Sequence, residues 1–549
     1  MIPPDLLEDV VVHGNYVSAA DVKTAQKFAA THHVSLEEAL LRLGTITNDL
    51  LGQALAEHFH IPYKNLNSKP PGVHELELVP EEIAKAHRLV GIKKDDSGIT
   101  IATDNPGDPM LPDLFLKTFP GTSITLHYAL PRDIDAALRL YRKPLITRFE
   151  TILKDKAQIA SRIIQEIVTE AISLQASDLH FEPQEKEVVV RFRVDGVLQE
   201  AGRIPIEHYG NILNRIKVQA HLRIDEHLVA QDGAIRYREQ GELVDMRVSI
   251  VPTLDGEKAA IRLLGEYVGT FSMEELGLSK HDQEVIQAVS KKPFGMILAS
   301  GPTGSGKTTV LYALLKLLNE PDVNITTIED PVEYKMIGVN QIQVNQETNL
   351  TFANGLRSIV RQDPDIILVG EIRDSETAEI AVNAALTGHL LLSTFHANDA
   401  ATTIPRLLEM GIEPFLLAST LELVIARRLI RKICEQCRYS VNVKRSALEE
   451  AIPGMSKYFP DATNVLYAGK GCKVCNSTGY KGRTGIFELI PMSAAMRELT
   501  LTHPSSQTVW KLAVQEGAHS LFEDGIQKVK NGITTIQEVL RVAPPASNK

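Results

Sequence analysis

A chain of 549 residues sets a soft expectation of about three or four domains. Its 44% hydrophobic and 23% charged content fits ordinary soluble globular domains, and no apolar run approaches the roughly 18 residues that span a bilayer. A net charge of −11 argues against broad binding to a nucleic-acid backbone, which needs an excess of Lys and Arg, although a local basic patch stays open. The start, Met1-Ile2-Pro3-Pro4-Asp5, is no signal peptide, so a cytoplasmic protein without a membrane span is expected, docked on a membrane system through partners.

From about 5 to 65 the chain reads as short helices. Gly14-Asn15-Tyr16-Val17-Ser18 returns loosely 30 positions later as Gly44-Thr45-Ile46-Thr47. Each is followed by a helical stretch, 19–30 and 48–58, with Ser18 and Thr47 placed as N-caps. The pattern is a duplicated two-helix unit. A linker, Lys69-Pro70-Pro71-Gly72, leads into a small α/β segment over 73–142. Strands are expected there at 89–92, 99–103 and 123–128, with helices at 80–87 and 131–141. No catalytic constellation occurs in 1–145, which reads either as a docking or regulatory domain or as a solvated structural one.

A second α/β domain is expected over about 148–270. It opens with a helix at 157–174, then Ser177-Asp178-Leu179-His180-Phe181-Glu182-Pro183, strands at 187–194 and 197–200, and a helix at 205–220. Two further strands, 243–251 and 258–264, are joined by Pro252-Thr253-Leu254-Asp255-Gly256-Glu257. A turn centred on Leu254-Asp255 sets Arg247 opposite Arg262. Facing cations cost stability across strands, and a shared anion such as a nucleotide phosphate would remove that cost. The alternative is two exposed arginines at an edge.

The third domain, about 275–549, carries the chemistry. An apolar strand at 296–300 enters Gly301-Pro302-Thr303-Gly304-Ser305-Gly306-Lys307-Thr308-Thr309, and a helix follows over 310–318. Glycines let backbone N–H groups wrap phosphates, Lys307 would reach the β- and γ-phosphates, and the Thr308 hydroxyl would ligate Mg²⁺. Three more apolar strands end in polar residues. One, 324–328, ends in Glu329-Asp330-Pro331-Val332-Glu333; 365–369 ends in Gly370-Glu371-Ile372-Arg373-Asp374; 389–394 ends in Phe395-His396-Ala397-Asn398-Asp399. Apolar strands alternating with helices imply a buried parallel sheet, and such sheets bind ligands outside the carboxyl ends of their strands.

ATP hydrolysis requires a bridging metal, a carboxylate to orient water, and cations for charge developing on the γ-phosphate. Glu371 is the carboxylate near Mg²⁺, directly or through water. Glu329 and Glu333 are the candidates to polarise the attacking water, with Glu333 preferred and Glu329 and Asp330 placed at the nucleotide. His396 would sense the γ-phosphate or relay its loss to a neighbouring subunit. Arg357 and Arg361, at i,i+4, share a helix face, where like charges mildly destabilise unless an anion or a partner's acids compensate.

The four cysteines form two CxxC pairs, Cys434/Cys437 and Cys472/Cys475, with 34 residues between them. Filled by four thiolates, a tetrahedral zinc site is closed and structural. Two redox pairs or four buried thiols are the alternatives. The long gap predicts that 438–471 projects as its own small lobe.

Together these motifs resemble the ATPases that power type II secretion and type IV pilus assembly, over almost the whole chain and most specifically over 157–539. The matching blocks are 177–183, Arg247-Val248-Ser249, Gly256-Glu257, 301–308, an acidic box at 327–334, 370–374, a histidine box at 387–399, and the tetracysteine segment ending in Gly479-Tyr480-Lys481-Gly482-Arg483-Thr484-Gly485. Gly370 stands where many nucleoside triphosphatases carry aspartate, as is usual in this family.

The resemblance implies an α/β multidomain fold: a RecA-like P-loop ATPase domain with a parallel sheet and C-terminal helices, preceded by a PAS-like α/β domain and a mostly helical N-terminal docking domain, plus a Cys₄ zinc lobe at about 430–480. It implies ATP, Mg²⁺ and Zn²⁺ as cofactors, and a homohexamer with nucleotide between the two large domains. Arg247 and Arg262 would act as arginine fingers. Such a motor works at the inner face of the cell membrane on a platform protein that loads or extrudes pilin subunits. The N-terminal repeat looks like a domain that binds cyclic di-GMP in some relatives through an Arg-Leu-Gly motif in each half. Here the first half offers Leu6-Leu7-Glu8-Asp9-Val10 and Arg42-Leu43-Gly44 lies out of register, so weak or no binding is expected. A nucleic-acid translocase and a nucleotide-sensing scaffold are the other readings. The acidic balance opposes the first, and the intact Lys307, Glu333, Glu371 and paired arginines oppose the second.

Overall fold

The computed structural model describes residues 4–545 apart from 15, 33–34, 44, 67–70, 96–97, 139–140, 142–151, 153–158, 240–241, 265–272 and 334. Gly44 of the displaced Arg-Leu-Gly motif, much of the 69–72 linker and the first residues of the helix expected from 157 lie outside the described residues. The chain divides into two compact units, one of 1–175 with 186–189 and 201–212, the other of 176–185, 190–200 and 213–549.

In the first unit the helical duplication is present. Helices Pro4–His13 and Ala19–His32 are followed by Leu36–Arg42 and Asn48–His58. Ser18 Oγ accepts from the Asp21 amide at 3.2 Å and Thr47 Oγ1 from the Leu50 amide at 3.3 Å, the caps expected at both repeats. Leu7, Val11, Val22, Leu40, Leu51 and Leu55 form the core of the bundle, joined by Tyr128 and Leu130. The α/β segment adds β1 (Leu89–Asp95), β2 (Gly98–Thr103) and β3 (Ile124–Tyr128), with β1–β2 antiparallel and β2–β3 parallel. Its last helix is described over Pro131–Leu138, and residues 139–140 of the stretch expected to be helical lie outside the described residues.

A six-stranded sheet follows, built of β4 (Asp178–Pro183), β5 (Glu187–Val194), β6 (Val197–Pro205), β7 (Gln231–Glu239), β8 (Glu242–Thr253) and β9 (Gly256–Leu264), in the order β6-β5-β4-β9-β8-β7. The polar Asp178-Leu179-His180-Phe181-Glu182-Pro183 run is itself a strand, burying Leu179, Phe181 and Pro183 alternately. Thr253 pairs with Gly256, so Leu254-Asp255 is the turn and Arg247 is the register partner of Arg262.

The larger sheet of the second unit runs β12-β11-β13-β14-β10-β15-β18. Its strands are β10 (Gly295–Ser300), β11 (Ile325–Glu329), β12 (Val339–Gln343), β13 (Ile366–Val369), β14 (Leu390–Phe395), β15 (Leu421–Ile433) and β18 (Tyr480–Pro491). All adjacent pairs are parallel except β15–β18. Alternate residues feed two cores. Met296, Leu298, Ile367 and Leu391 pack into one, whereas Ile297, Ala299, Ile366 and Leu392 pack into the other. Helices on both faces explain why these strands are apolar without alternation.

Between β15 and β18 lie β16 (Arg438–Lys444) and β17 (Thr463–Gly469), an antiparallel pair. This insertion does not stand apart with a core of its own. Leu448, Met455, Phe459 and Leu466 pack with Phe522, Ile526, Val529 and Val539 of the C-terminal helices Leu521–Lys530 and Ile536–Val542. A lobe this small gains a core by borrowing one.

Candidate active site

Strand β10 delivers the phosphate loop. Gly306 has φ 83° and caps helix Lys307–Leu318, and a Cβ there would lie 2.2 Å from Arg427 Nη1, so only glycine fits. Lys307 folds over its own loop, its Nζ donating to the carbonyls of Gly301 at 2.8 Å and Pro302 at 3.2 Å. Burial pushes its ammonium below the usual lysine range, while nearby Glu371 acts in the opposite direction. Ser305 Oγ is buried without a protein partner. Pro302, Thr303 and Gly304 are exposed at the loop tip, and Thr308 and Thr309 are half-buried in the first helical turn. An orphaned hydroxyl, a lysine bound only to carbonyls and a helix N-terminus make a loop that fits phosphate.

The neighbouring strand ends bring acids and cations to the same edge. Glu371, just past β13, accepts from Arg373 Nη2 at 2.6 Å and lies 3.1 Å from His396 Nε2, just past β14. At Gly370 a Cβ would sit 3.2 Å from Glu329 Cα and 3.3 Å from the Ile328 carbonyl. That crowding accounts for glycine where an aspartate is common. The histidine loop is moored to β10, since Ser300 Oγ donates to the Ala397 carbonyl at 3.3 Å and Thr403 Oγ1 to Ser300 Oγ at 3.2 Å. Arg406 Nη1 donates to the His396 carbonyl at 2.5 Å.

The acidic box splits into an inner and an outer acid. Glu329 ends β11, is 2% exposed, and accepts from Tyr312 Oη and, at 2.6 Å, from Thr327 Oγ1. Burial pushes its carboxyl above the usual range. Glu333 is partly exposed and stands 3.9 Å from Arg247 Nη2 on β8. Arg247 also feels Asp330, as does Arg373. Arg262 is occupied elsewhere: its Nε donates to Asp178 Oδ1 at 3.1 Å. Each of the two facing arginines thus has a different carboxylate of the chain beside it.

Arg357 and Arg361 make their contacts away from the phosphate loop. Arg357 pairs with Glu376 at 2.7 Å, and Arg361 Nη1 donates to the Arg357 carbonyl at 2.8 Å. Glu376 offsets the charge of Arg357.

Sequence reasoning missed Arg373, Tyr312 and Arg427. Arg427 on β15 is 4% exposed, and its Nη1 donates to the Gly306 carbonyl at 2.5 Å. An arginine inside the apolar run Leu421-Glu422-Leu423-Val424-Ile425-Ala426-Arg427 is the signal that could have found it.

The four cysteines converge. Their sulfurs lie within 4.8 Å of one another, with Sγ–Sγ distances of 3.8 Å (Cys434–Cys472), 3.8 Å (Cys437–Cys475) and 3.7 Å (Cys472–Cys475). Tetrahedral Zn–S bonds of about 2.3 Å place sulfurs roughly 3.75 Å apart, so the donor set fits zinc. Amides of Cys472 and Gly479 donate to Cys475 Sγ at 3.1 and 3.3 Å, as a thiolate requires.

Comparison with known proteins agrees with this geometry. The family model for "Type II/IV secretion system protein" matches residues 153–541, and the MshEN domain model matches 59–147. The type IV pilus assembly ATPase PilB of Myxococcus xanthus is 38% identical over 98% of this chain and 99% of its own. The type II secretion system protein E of Xanthomonas campestris is 37% identical over 96% of each. The Legionella pneumophila ATPase DotB shares the fold, with a TM-score of 0.51 at 20% identity over 70% of this chain and 95% of its own. In this chain the sheet that carries the phosphate loop has the RecA-like, P-loop architecture. The chain belongs to the type II/IV secretion system protein family and is one of its ATPases.

Proposed function

We propose that the chain is a hexameric mechanochemical motor whose ATP hydrolysis drives type IV pilus assembly or type II protein secretion through a platform protein of the inner membrane. One observation carries the reading: Lys307, Glu333, Glu371 and His396 all follow the carboxyl ends of adjacent parallel strands, with Arg247 brought to Glu333. ATP is the substrate. Thr308 and Glu371 would hold Mg²⁺, which supplies charge neutralisation across phosphate oxygens. Lys307 exchanges loop carbonyls for phosphate, Glu333 orients the attacking water, and Arg247 offsets charge developing on the γ-phosphate. His396 reports the state of that phosphate through its contact with Glu371. The cysteine cluster holds zinc as a structural staple.

No helix among the described residues is long and apolar enough to cross a membrane. A cytoplasmic motor resting on the inner face of the cell membrane, docked through residues 1–145, fits that. Both a pilus-assembly and a secretion relative match this chain nearly end to end, so N-terminal length does not separate the two machines.

The test is steady-state ATP hydrolysis against protein concentration, for the wild type and Lys307→Ala. Specific activity that rises with concentration and vanishes in the variant supports a ring motor. Activity independent of both refutes it, and stimulation by DNA that collapses with salt would favour a translocase.

A further inference from the structure

Several buried charges in the larger domain pair with an opposite charge. Lys528 pairs with Asp524 at 2.6 Å, Arg431 with Glu538 at 2.7 Å, and Glu422 with Arg497 at 2.8 Å. Arg427 breaks the pattern. Among the described residues no carboxylate pairs with it. Its Nε is buried without a partner, its Nη1 reaches only the Gly306 carbonyl, and its guanidinium rests 5.4 Å from the Phe487 ring centroid. The charge acting on it is another cation, Arg483, and burial pushes the guanidinium down to about 9. An uncompensated buried cation is strongly unfavourable, and a packed core would be better served by an apolar side chain of like volume. Its location supplies the reason to keep it. Gly306 caps the helix whose N-terminus faces the phosphates, and Arg427 lies directly behind that residue.

We propose that Arg427 is a positioning residue for the nucleotide, a cation kept without a counter-ion behind Gly306 so that the bound phosphates supply the missing negative charge. It acts through the loop: it fixes the Gly306 carbonyl, and with it the direction of the first helical amides, and adds long-range attraction in a medium of low dielectric. The loop is therefore held in its binding geometry at the expense of the nucleotide-free fold. The inference rests on the ATPase reading.

Full-length Arg427→Met and Arg427→Lys, compared with the wild type, test it. ATP affinity is measured by calorimetry, melting temperature without nucleotide, and KM and kcat separately. Arg427→Met is expected to weaken ATP binding and raise KM by about tenfold or more, with a nucleotide-free melting temperature equal to or above wild type. Arg427→Lys, which keeps the charge, is expected to recover most of the affinity. ATP bound by Arg427→Met as tightly as by the wild type overturns the proposal. So does weaker binding accompanied by a lower melting temperature in both variants, or failure of both to fold, because each marks a packing role. A wild type that binds no ATP refutes the ATPase reading itself, an outcome separate from these.

Discussion

Arg247 on β8 and Arg262 on β9 stand directly opposite each other, and each is held by a different carboxylate, Glu333 for the first and Asp178 for the second. Paired acids remove the repulsion that two facing cations would otherwise create. The surroundings of the two arginines also differ. Arg262 is anchored within its own sheet, whereas Arg247 keeps a buried Nη2 without a hydrogen bond beside the acidic box. Arg247→Ala is expected to lower kcat by about a hundredfold or more while ATP still binds, because a cation facing the γ-phosphate acts on the transition state. Arg262→Ala is expected to cost less turnover and to be matched by Asp178→Asn. Equal losses in kcat from both arginine variants would contradict this division.

Glu329 and Glu333 should fail in different ways. Glu329 is enclosed by Tyr312 and Thr327, so Glu329→Ala removes the carboxylate that both hydroxyls bond, costs roughly 1–3 kcal/mol and lowers the melting temperature. Glu333 is half in solvent. Glu333→Gln is expected to leave melting unchanged and reduce kcat by about two to four orders of magnitude, the usual weight of a positioned base. A Glu333→Gln enzyme turning over at wild-type rate would move the water-orienting role elsewhere.

The cysteine cluster is expected to bind one zinc per chain. Stripping it, or replacing Cys434 and Cys472 with Ser, should unravel the 434–479 region and loosen helices Leu521–Lys530 and Ile536–Val542, which share its core. Hydrogen exchange would show loss of protection there with the phosphate loop still protected. Purified protein with no metal and four titratable thiols would establish the buried-thiol alternative instead.

These sites differ in how far the chain announces them. The phosphate loop and the four strand ends are legible because glycine permits and proline fixes particular local backbone shapes, lysine at that spacing marks a phosphate site, and an unbroken apolar run such as Met296-Ile297-Leu298 has few other uses. The turn at Leu254-Asp255 is legible for the same reason, and it sets the Arg247–Arg262 register. Strand β15 is not. Its Glu422 and Arg431 contradict a buried strand until their partners are seen, and those partners, Arg497 and Glu538, come from helices far along the chain. Strand β4 hid behind polar Asp178 and Glu182 because their counter-charges, Arg262 and Lys258, sit on another strand. What sequence alone withholds here is long-range charge compensation.

Glu538 and Glu488 are buried acids shifted in opposite directions, which gives each a distinct pH signature. Glu538 is 1% exposed and bonded to Arg431 and Arg541. Its burial is outweighed by those cations, which draw its carboxyl down to about 2. A depressed acid contributes stability that is complete above its unfolded value near 4.5 and is lost as pH falls toward 2. Glu488 is 4% exposed, and burial raises its carboxyl to about 7 despite the Ala400 amide at 2.8 Å. A raised acid favours folding below 4.5, and that contribution is lost as pH climbs from 4.5 through 7. Each shift corresponds to roughly 3 kcal/mol. Melting of Glu538→Gln and Glu488→Gln should be followed against pH beside the wild type. The deficit of Glu538→Gln should be greatest above pH 4.5 and shrink below it, whereas Glu488→Gln should gain on the wild type from pH 4.5 to 7 and then run parallel. Parallel curves at every pH would mean that neither carboxyl is shifted, and that both buried sites are held by packing alone.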